Sequence, residues 1–462
     1  MKTKQLLILT GFFSIGQYSM AKVTNQPNIL VILIDDAGYN DFGFMGSKDM
    51  ITPNIDQLAS QGVVFTDAHV AATVSSPSRA CLITGRYGHR FGYECNPSDN
   101  DYGVSLDEQT IADVFKENGY QTAAIGKWHL GTLDKYHPNK RGFDYFYGMK
   151  AGGRDYFYDE KNCDYPGDER NILLNDKQVK FNGYLTDVFS EKAVEFIKNT
   201  DRPFMMYLAY NAVHTPMQAT QEDLNKFMGH PRQKLAAMTW ALDRGIGTVI
   251  QGLKATGKFD NTLIFFLSDN GGATINSSSN YPLKGFKGNK FEGGHRVPYF
   301  IVWNNKIKSG MKFDGLASSL DIFATAIDAA GISKTKNRLD GVSLIPYLSG
   351  KKKGNPHEIL FWRKMDTRAV RMGDYKLIIT HGIDSVLYNV KSDLEEMNNI
   401  LDKEPQIYRR MAQKLKQWED KECIEPLWTE KGWGEITNSY HQKLMHNEIK
   451  TANDLKMKKN NK

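Results

Sequence analysis

The sequence predicts an α/β fold: a large doubly wound mixed sheet flanked by helices, followed by a small C-terminal α+β domain with an antiparallel sheet. Three observations predict it. First, residues 28–34 form a continuous apolar run, and 204–208, 264–267 and 299–303 repeat it. Such runs fit strands buried on both faces of a largely parallel sheet. Second, helical periodicity fills the intervals, at 54–61, 110–118, 189–199 and 234–256, which is the alternation of a doubly wound domain. Third, the pattern changes after about residue 355. There 368–372 and 375–379 flank Gly373-Asp374 as a hairpin, 385–390 adds a strand, and Pro405 opens an amphipathic helix to about Lys421.

The 462 residues, 40% of them hydrophobic, suffice for a sizeable core and more than one domain. The expected division is a signal peptide over 1–21, an α/β domain over 22–355, a C-terminal domain over 356–440 and a flexible basic tail over 441–462. Lys2 and Lys4, an apolar stretch at 6–15 and Ser19-Met20-Ala21 have the layout of a secretory signal. No cysteine follows that site, so no lipid anchor is expected, and the protein is expected to be secreted and periplasmic, without stable membrane insertion. The net charge is +6. Its excess falls on the leader and the tail, leaving 22–440 neutral, which argues against a nucleic-acid surface. The four cysteines, Cys81, Cys95, Cys163 and Cys423, show no metal or redox spacing. Cys95–Cys163 is the expected pairing if a disulfide forms, and Cys81 is expected as a buried thiol.

The chemistry-bearing residues lie at strand ends. The first strand runs into Asp35-Asp36, and the 264–267 strand into Ser268-Asp269-Asn270-Gly271-Gly272. Open α/β sheets bind ligands beyond the carboxyl ends of their strands. Three carboxylates and an amide oxygen there form a hard donor set suited to Ca²⁺ or Mg²⁺, although Asp-Gly and Asn-Gly after strands are also ordinary turn residues. Residues 75–85 read Ser-Ser-Pro-Ser-Arg-Ala-Cys-Leu-Ile-Thr-Gly. Pro77 is expected as the first helical residue, with Ser75 and Ser76 as caps. The helix mouth then favours an anion, and Arg79 adds a fixed fork of donors.

This segment resembles the type I sulfatase signature in its serine form. Gly126-Lys127-Trp128-His129-Leu130-Gly131, Asn211-Ala212-Val213-His214-Thr215-Pro216, Ser268-Asp269-Asn270-Gly271-Gly272 and Lys284-Gly285-Phe286-Lys287-Gly288 with Glu292-Gly293-Gly294-His295-Arg296-Val297-Pro298 are similar to that family's further motifs, in order. The resemblance runs from about Asn28 to Leu401. It implies an alkaline-phosphatase-like fold and a sulfuric ester hydrolase in which Ser75 is oxidised to Cα-formylglycine (3-oxoalanine) by an anaerobic sulfatase-maturating type of maturase. It implies one Ca²⁺ held by Asp35, Asp36, Asp269, Asn270 and residue 75. It assigns the hydrated aldehyde of residue 75 as nucleophile, with Arg79 favouring its deprotonation. Lys127 and Lys287 are assigned to the sulfate oxygens, His214, alone or with Lys287, to protonating the leaving oxygen, and His129 to the proton of the second diol hydroxyl.

The substrate implied is a sulfated saccharide, with a lean towards sulfated galactose or N-acetylgalactosamine. His89, Arg90, Arg154 and the tyrosines of 152–159 are the candidates for a sugar subsite. Two alternatives stand beside this. One is a phosphatase or phosphodiesterase using unmodified Ser75; such enzymes generally use two zinc ions held by several His and Asp, and only 11 His are present. The other is a non-catalytic glycan binder.

Overall fold

The computed structural model describes residues 26–97, 101–451 and 453–455. The expected signal peptide and the last residues of the expected tail lie outside them. Among the described residues no helix is long and apolar enough to cross a membrane.

The main sheet has ten strands. In spatial order they are Met311–Phe313, Val63–Phe65, Tyr299–Val302, Thr262–Ser268, Asn28–Ile34, Phe204–Ala209, Gln121–Lys127, Tyr145–Met149, Leu173–Leu174 and Lys177–Gln178. Asn28–Ile34 lies at the centre and pairs in parallel with both Phe204–Ala209 and Thr262–Ser268. Tyr299–Val302 is antiparallel to its neighbours, which makes the sheet mixed. The apolar runs are continuous because both faces are buried. Leu30, Ile32 and Ile34 join one core with Met206, Leu208, Ile264 and Phe266. Ile29, Val31 and Leu33 join the other with Met205, Tyr207, Phe265 and Leu267. This alternation is the period of a strand, and the helices Leu185–Asn199 and Gln233–Ala255 cover the first of the two faces.

The C-terminal sheet orders Ile359–Lys364, Thr367–Met372, Tyr375–Thr380 and Asp384–Asn389 as an antiparallel meander. Phe361, Val370, Leu377 and Leu387 face the helix Pro405–Glu422 through Met411, Leu415 and Trp418. Leu360, Trp362, Ala369, Ile378 and Tyr388 face the other way, towards Leu444, Met445 and Ile449.

That second contact corrects the expected flexible tail. A helix, Lys431–Met445, crosses residue 440, and His441, Leu444 and Met445 are buried. Its apolar face seals the sheet. The expected Cys95–Cys163 disulfide is also corrected, since all four cysteines are free. Cys95 packs in the core beneath the main sheet, while Cys163 lies in a loop beside Asp155 and Asp164. Cys81 is the expected buried thiol, and burial pushes it up to about 12.

Truncating Leu444→Ala leaves a cavity and is expected to cost about 2–5 kcal/mol. Gln442→Ala, on the exposed face, is expected to change stability by less than about 0.5 kcal/mol. Urea unfolding checks both, and equal small effects would contradict the packed helix.

Candidate active site

Because the central strands run parallel, their carboxyl ends lie along one edge. That edge carries Asp35-Asp36, Lys127 to His129, Asn211 to His214 and Asp269-Asn270. Backbone bonds lock the tips together. Asp35 N–H donates to Ala212 O at 2.9 Å, Val213 N–H to Asp35 O at 2.8 Å, and Asp269 N–H to Ile34 O at 2.8 Å. Asp36 and His129 have φ of 62° and 59°, a strained region for non-glycine residues that clusters at functional sites. The strain at Asp36 is held from behind: Asn276 Nδ2 and Ser278 Oγ both donate to Asp36 O, at 3.0 and 2.9 Å.

The serine-led helix spans Ser75–Thr84 and is buried throughout. Val74, not Ser75, is its N-cap, and no side chain caps it. Ser75 instead turns into the crevice, with Oγ 3.2 Å from Asp35 Oδ1 and 3.1 Å from Asn270 Oδ1. Ser76 bonds Tyr93 and His129 O rather than capping the helix. The helix ends at Gly85, whose φ of 65° suits glycine.

Buried charges surround Ser75. Arg79 Nε and Nη2 donate to Asp269 Oδ2 at 3.1 and 2.9 Å. Lys127 Nζ meets Asp35 Oδ2 at 2.5 Å. Lys287 Nζ meets Asp36 Oδ1 at 2.7 Å, and Asn270 Nδ2 donates to the same oxygen at 2.8 Å. Burial pushes the Asp35 and Asp36 carboxyls up. The neighbouring cations outweigh it, Lys127 and Arg79 at Asp35 and Lys287 at Asp36, so both lie below the usual carboxylate range. Asp269 is raised, by burial and by Asp35, against Arg79 and Lys127. His129 lies well below the usual range because of burial and then the neighbouring cations Lys127, Arg79 and Lys287. It is therefore neutral, and its Nδ1 has no partner. His214 Nδ1 bonds Thr215 O at 2.7 Å, leaving Nε2 towards the cleft, 3.8 Å from Asp36 Oδ2.

The residues fit a hard divalent cation. Asp36 Oδ2 is buried without a hydrogen-bond partner. Ligand atoms of Asp35, Asp36 and His214 lie within 4.8 Å of one another, and Ser75 Oγ and Asn270 Oδ1 face the same space. Oxygen donors dominate, as Ca²⁺ prefers. A second group, His69, Glu292 and His295, is equally compact but already paired. His69 Nδ1 and His295 Nδ1 bond each other at 2.9 Å, and Glu292 takes Lys376 at 2.9 Å and Arg296 at 3.1 Å. Through Lys376 it ties this segment to the C-terminal sheet, and its charge is already matched.

Asp35, Asp36, Ser75, Arg79, Lys127, His129, His214, Asp269, Asn270 and Lys287 thus come together. The three sugar-subsite candidates do not join them. His89 is buried between Tyr87 and Trp418, with Nε2 on Arg363 O. Arg90 is held by Asp340 and Glu422. Arg154 is buried in a two-bond pair with Asp164 at 3.0 and 2.7 Å. Both arginines have their charge already matched, and His89 is 1% exposed beneath aromatic rings, so none offers a free face to a sugar. The 152–159 loop acts differently. A Cβ at Gly152 would meet His129 Nε2 at 2.5 Å, and the Tyr156 hydroxyl lies 2.6 Å from Asn211 O and 2.8 Å from His214 O. The loop positions the two histidines. The Gly152-Gly153 pair was the available sequence signal for it.

Comparison with known proteins agrees with this geometry. The Sulfatase family profile matches residues 27–332, and the profile "N-sulphoglucosamine sulphohydrolase, C-terminal" matches 287–421. The chain is 34% identical over 396 residues to the uncharacterized sulfatase YdeN of Escherichia coli K12, covering 73% of this chain and 68% of that one. It is 33% identical over 386 residues to human N-acetylgalactosamine-6-sulfatase, covering 76% and 71%. Among solved structures, Ps i-CgsB superposes with a TM-score of 0.83 at 37% identity, over 89% of this chain and 96% of that one. The same protein in complex with k-i-k-neocarrahexaose gives 0.83 at 36%, over 91% and 99%. The chain belongs to the sulfatase family, within the alkaline-phosphatase-like superfamily, and is a sulfuric ester hydrolase.

Proposed function

We propose that this enzyme hydrolyses sulfate monoesters of carbohydrates, with residue 75 as the reacting group and one Ca²⁺ at the strand tips. The observation that carries the reading is the convergence of Ser75 Oγ on Asp35 and Asn270, at 3.2 and 3.1 Å, inside a ring of cations. The relatives support a carbohydrate substrate, since one is named N-acetylgalactosamine-6-sulfatase and another was crystallised with k-i-k-neocarrahexaose. Sulfated galactose or N-acetylgalactosamine is the favoured class. The reading includes secretion to the periplasm and oxidation of Ser75 by a maturase during export.

Asp35, Asp36, Asp269, Asn270 and residue 75 would hold the ion. A formylglycine at 75 supplies a hydrated aldehyde as nucleophile, and Ca²⁺ supplies charge neutralisation and orientation. The chain's own residues do the rest. Lys127 and Lys287 bring positive charge to the sulfate oxygens, in a buried setting where each interaction is strong. Arg79 is fixed by Asp269 and cannot swing away. His214 Nε2 faces the cleft and is placed to give a proton to the leaving alcohol oxygen. His129, neutral and with a free Nδ1, is the group able to accept a proton. The Gly152-Gly153 turn and Tyr156 keep both rings in place.

Three outcomes are expected. Desulfation assays on a panel of defined sulfated monosaccharides should show turnover, at least a thousandfold lost in Ser75→Ala, and peptide mass spectrometry should find residue 75 lighter by two hydrogens. Full activity from unmodified serine, or preference for phosphate esters, would sink the reading. His214→Ala is expected to lower kcat by about 10²–10⁴-fold, and an unchanged kcat would remove it from the proton-transfer role. Ca²⁺ at a hundred times its Kd should add about 2.7 kcal/mol of stability, and chelation should reverse it. Asp36→Asn should abolish most of that gain in thermal unfolding, and a gain retained in full would move the ion elsewhere.

A further inference from the structure

Lys287 stands on a stretch of chain without regular structure. Among the described residues, no strand or helix lies between the strand Thr262–Ser268 and the short helix Glu292–His295, so its place depends on individual bonds. Two of these are local to the cleft. Lys287 N–H donates to Gly272 O at 3.1 Å, and Gly288 N–H to Thr73 O at 2.8 Å. The three residues before Lys287 are held from elsewhere, by the chain that follows the helix Lys431–Met445. We propose that residues 447–450 form a strap that positions Lys287, with Asn447 as its positioning residue. The proposal rests on the sulfatase reading for the task of Lys287. The strap itself lies beyond both matched profile regions, 27–332 and 287–421.

Contacts at three consecutive residues carry it. Lys284 is 0% exposed, and its Nζ donates to Asn447 Oδ1 at 2.6 Å and to Glu396 O at 3.0 Å. The same ammonium stands over the rings of Phe291 and Tyr388, 4.8 and 5.7 Å from their centroids. A charge enclosed in this way has no water to turn to, so its acceptors fix it. Gly285 N–H donates to Lys450 O at 2.8 Å. Phe286 shares a buried cluster with Ile449. The strap is anchored in turn. Asn447 Nδ2 donates to Met397 O at 3.1 Å, and the N–H groups of Lys450 and Thr451 both donate to Asp454 Oδ2 at 2.8 Å. Asn447 has φ of 56°, a conformation asparagine adopts more readily than most residues. Its surface is exposed, so packing does not account for its place, whereas its two bonds do. Beyond this support lies Lys287 Nζ, 2.7 Å from Asp36 Oδ1. A shift of the backbone at 284–286 carries that ammonium away from Asp36 and from the sulfate it is assigned to meet.

Two variants remove the Lys284–Asn447 bond from its two sides. Asn447→Gly keeps the positive φ without strain, and Lys284→Met removes the donor. Amine-reactive labelling read by peptide mass spectrometry should modify Lys287 about threefold faster than in the wild type, relative to the exposed Lys198. On matured enzyme, with the sulfated monosaccharide that the wild type turns over fastest, kcat/KM should fall about tenfold. Circular dichroism at the assay temperature identifies the folded variants. Asn447→Asp keeps the acceptor for Lys284 and should return both readings to within about twofold of the wild type. Unchanged labelling of Lys287 in a folded variant overturns the proposal. So does faster labelling with unchanged kcat/KM, or a loss that Asn447→Asp fails to restore. Those results leave the sulfatase reading standing. Wild-type protein that carries formylglycine and turns over no sulfate ester overturns that reading and the task given to Lys287 with it, while the labelling ratio still tests the strap.

Discussion

Everything at this site depends on keeping three carboxylates charged in a place that excludes water. Asp35, Asp36 and Asp269 are 0–1% exposed. Uncompensated, such charges are strongly destabilising. The fold answers them with three cations from separate segments: Arg79 from the serine-led helix, Lys127 from a strand end, and Lys287 from the loop after the second acidic tip. Three negative charges therefore stand against three positive ones. A divalent ion added to that balance leaves the crevice positive, which suits an anionic sulfate ester and the charge that develops as its bond breaks.

The same logic, used for another end, joins the main sheet's surroundings to the C-terminal sheet. Glu292 is buried among Lys376, Arg296 and Arg371, with Glu396 sharing Lys376. Its motif is one of those shared with the family, yet Lys376 and Arg371 reach it from the C-terminal sheet while Arg296 comes from its own segment. This network anchors the sheet on which the helix Lys431–Met445 packs. A charge of the crevice and a charge of the architecture thus lie close in sequence, at Lys287 and Glu292.

Much of this was legible beforehand. Runs such as 28–34 are apolar at every position because two cores claim alternate residues, so the central strands announce themselves. The acidic pairs and the Ser75 helix stood out because their residue types are costly to bury without a task. Three features were hidden for physical reasons. The segment after 440 looked solvated because its lysines outnumber its acids, although Leu444, Met445 and Ile449 mark a buried face. Arg90 and Arg154 looked like ligands because sequence does not show that Asp340 and Asp164 already hold them. The start of the serine-led helix was misplaced because Ser75 bonds across the crevice to Asp35 and Asn270, a contact made only in the folded chain.

The most direct test is a high-resolution crystal structure grown with Ca²⁺, with anomalous data from a Mn²⁺ replacement. The account predicts a single metal peak bounded by Asp35, Asp36, Asp269 and Asn270, with an oxygen of residue 75 facing it. Peaks at His69, Glu292 and His295, or two ions at the strand tips, would contradict it.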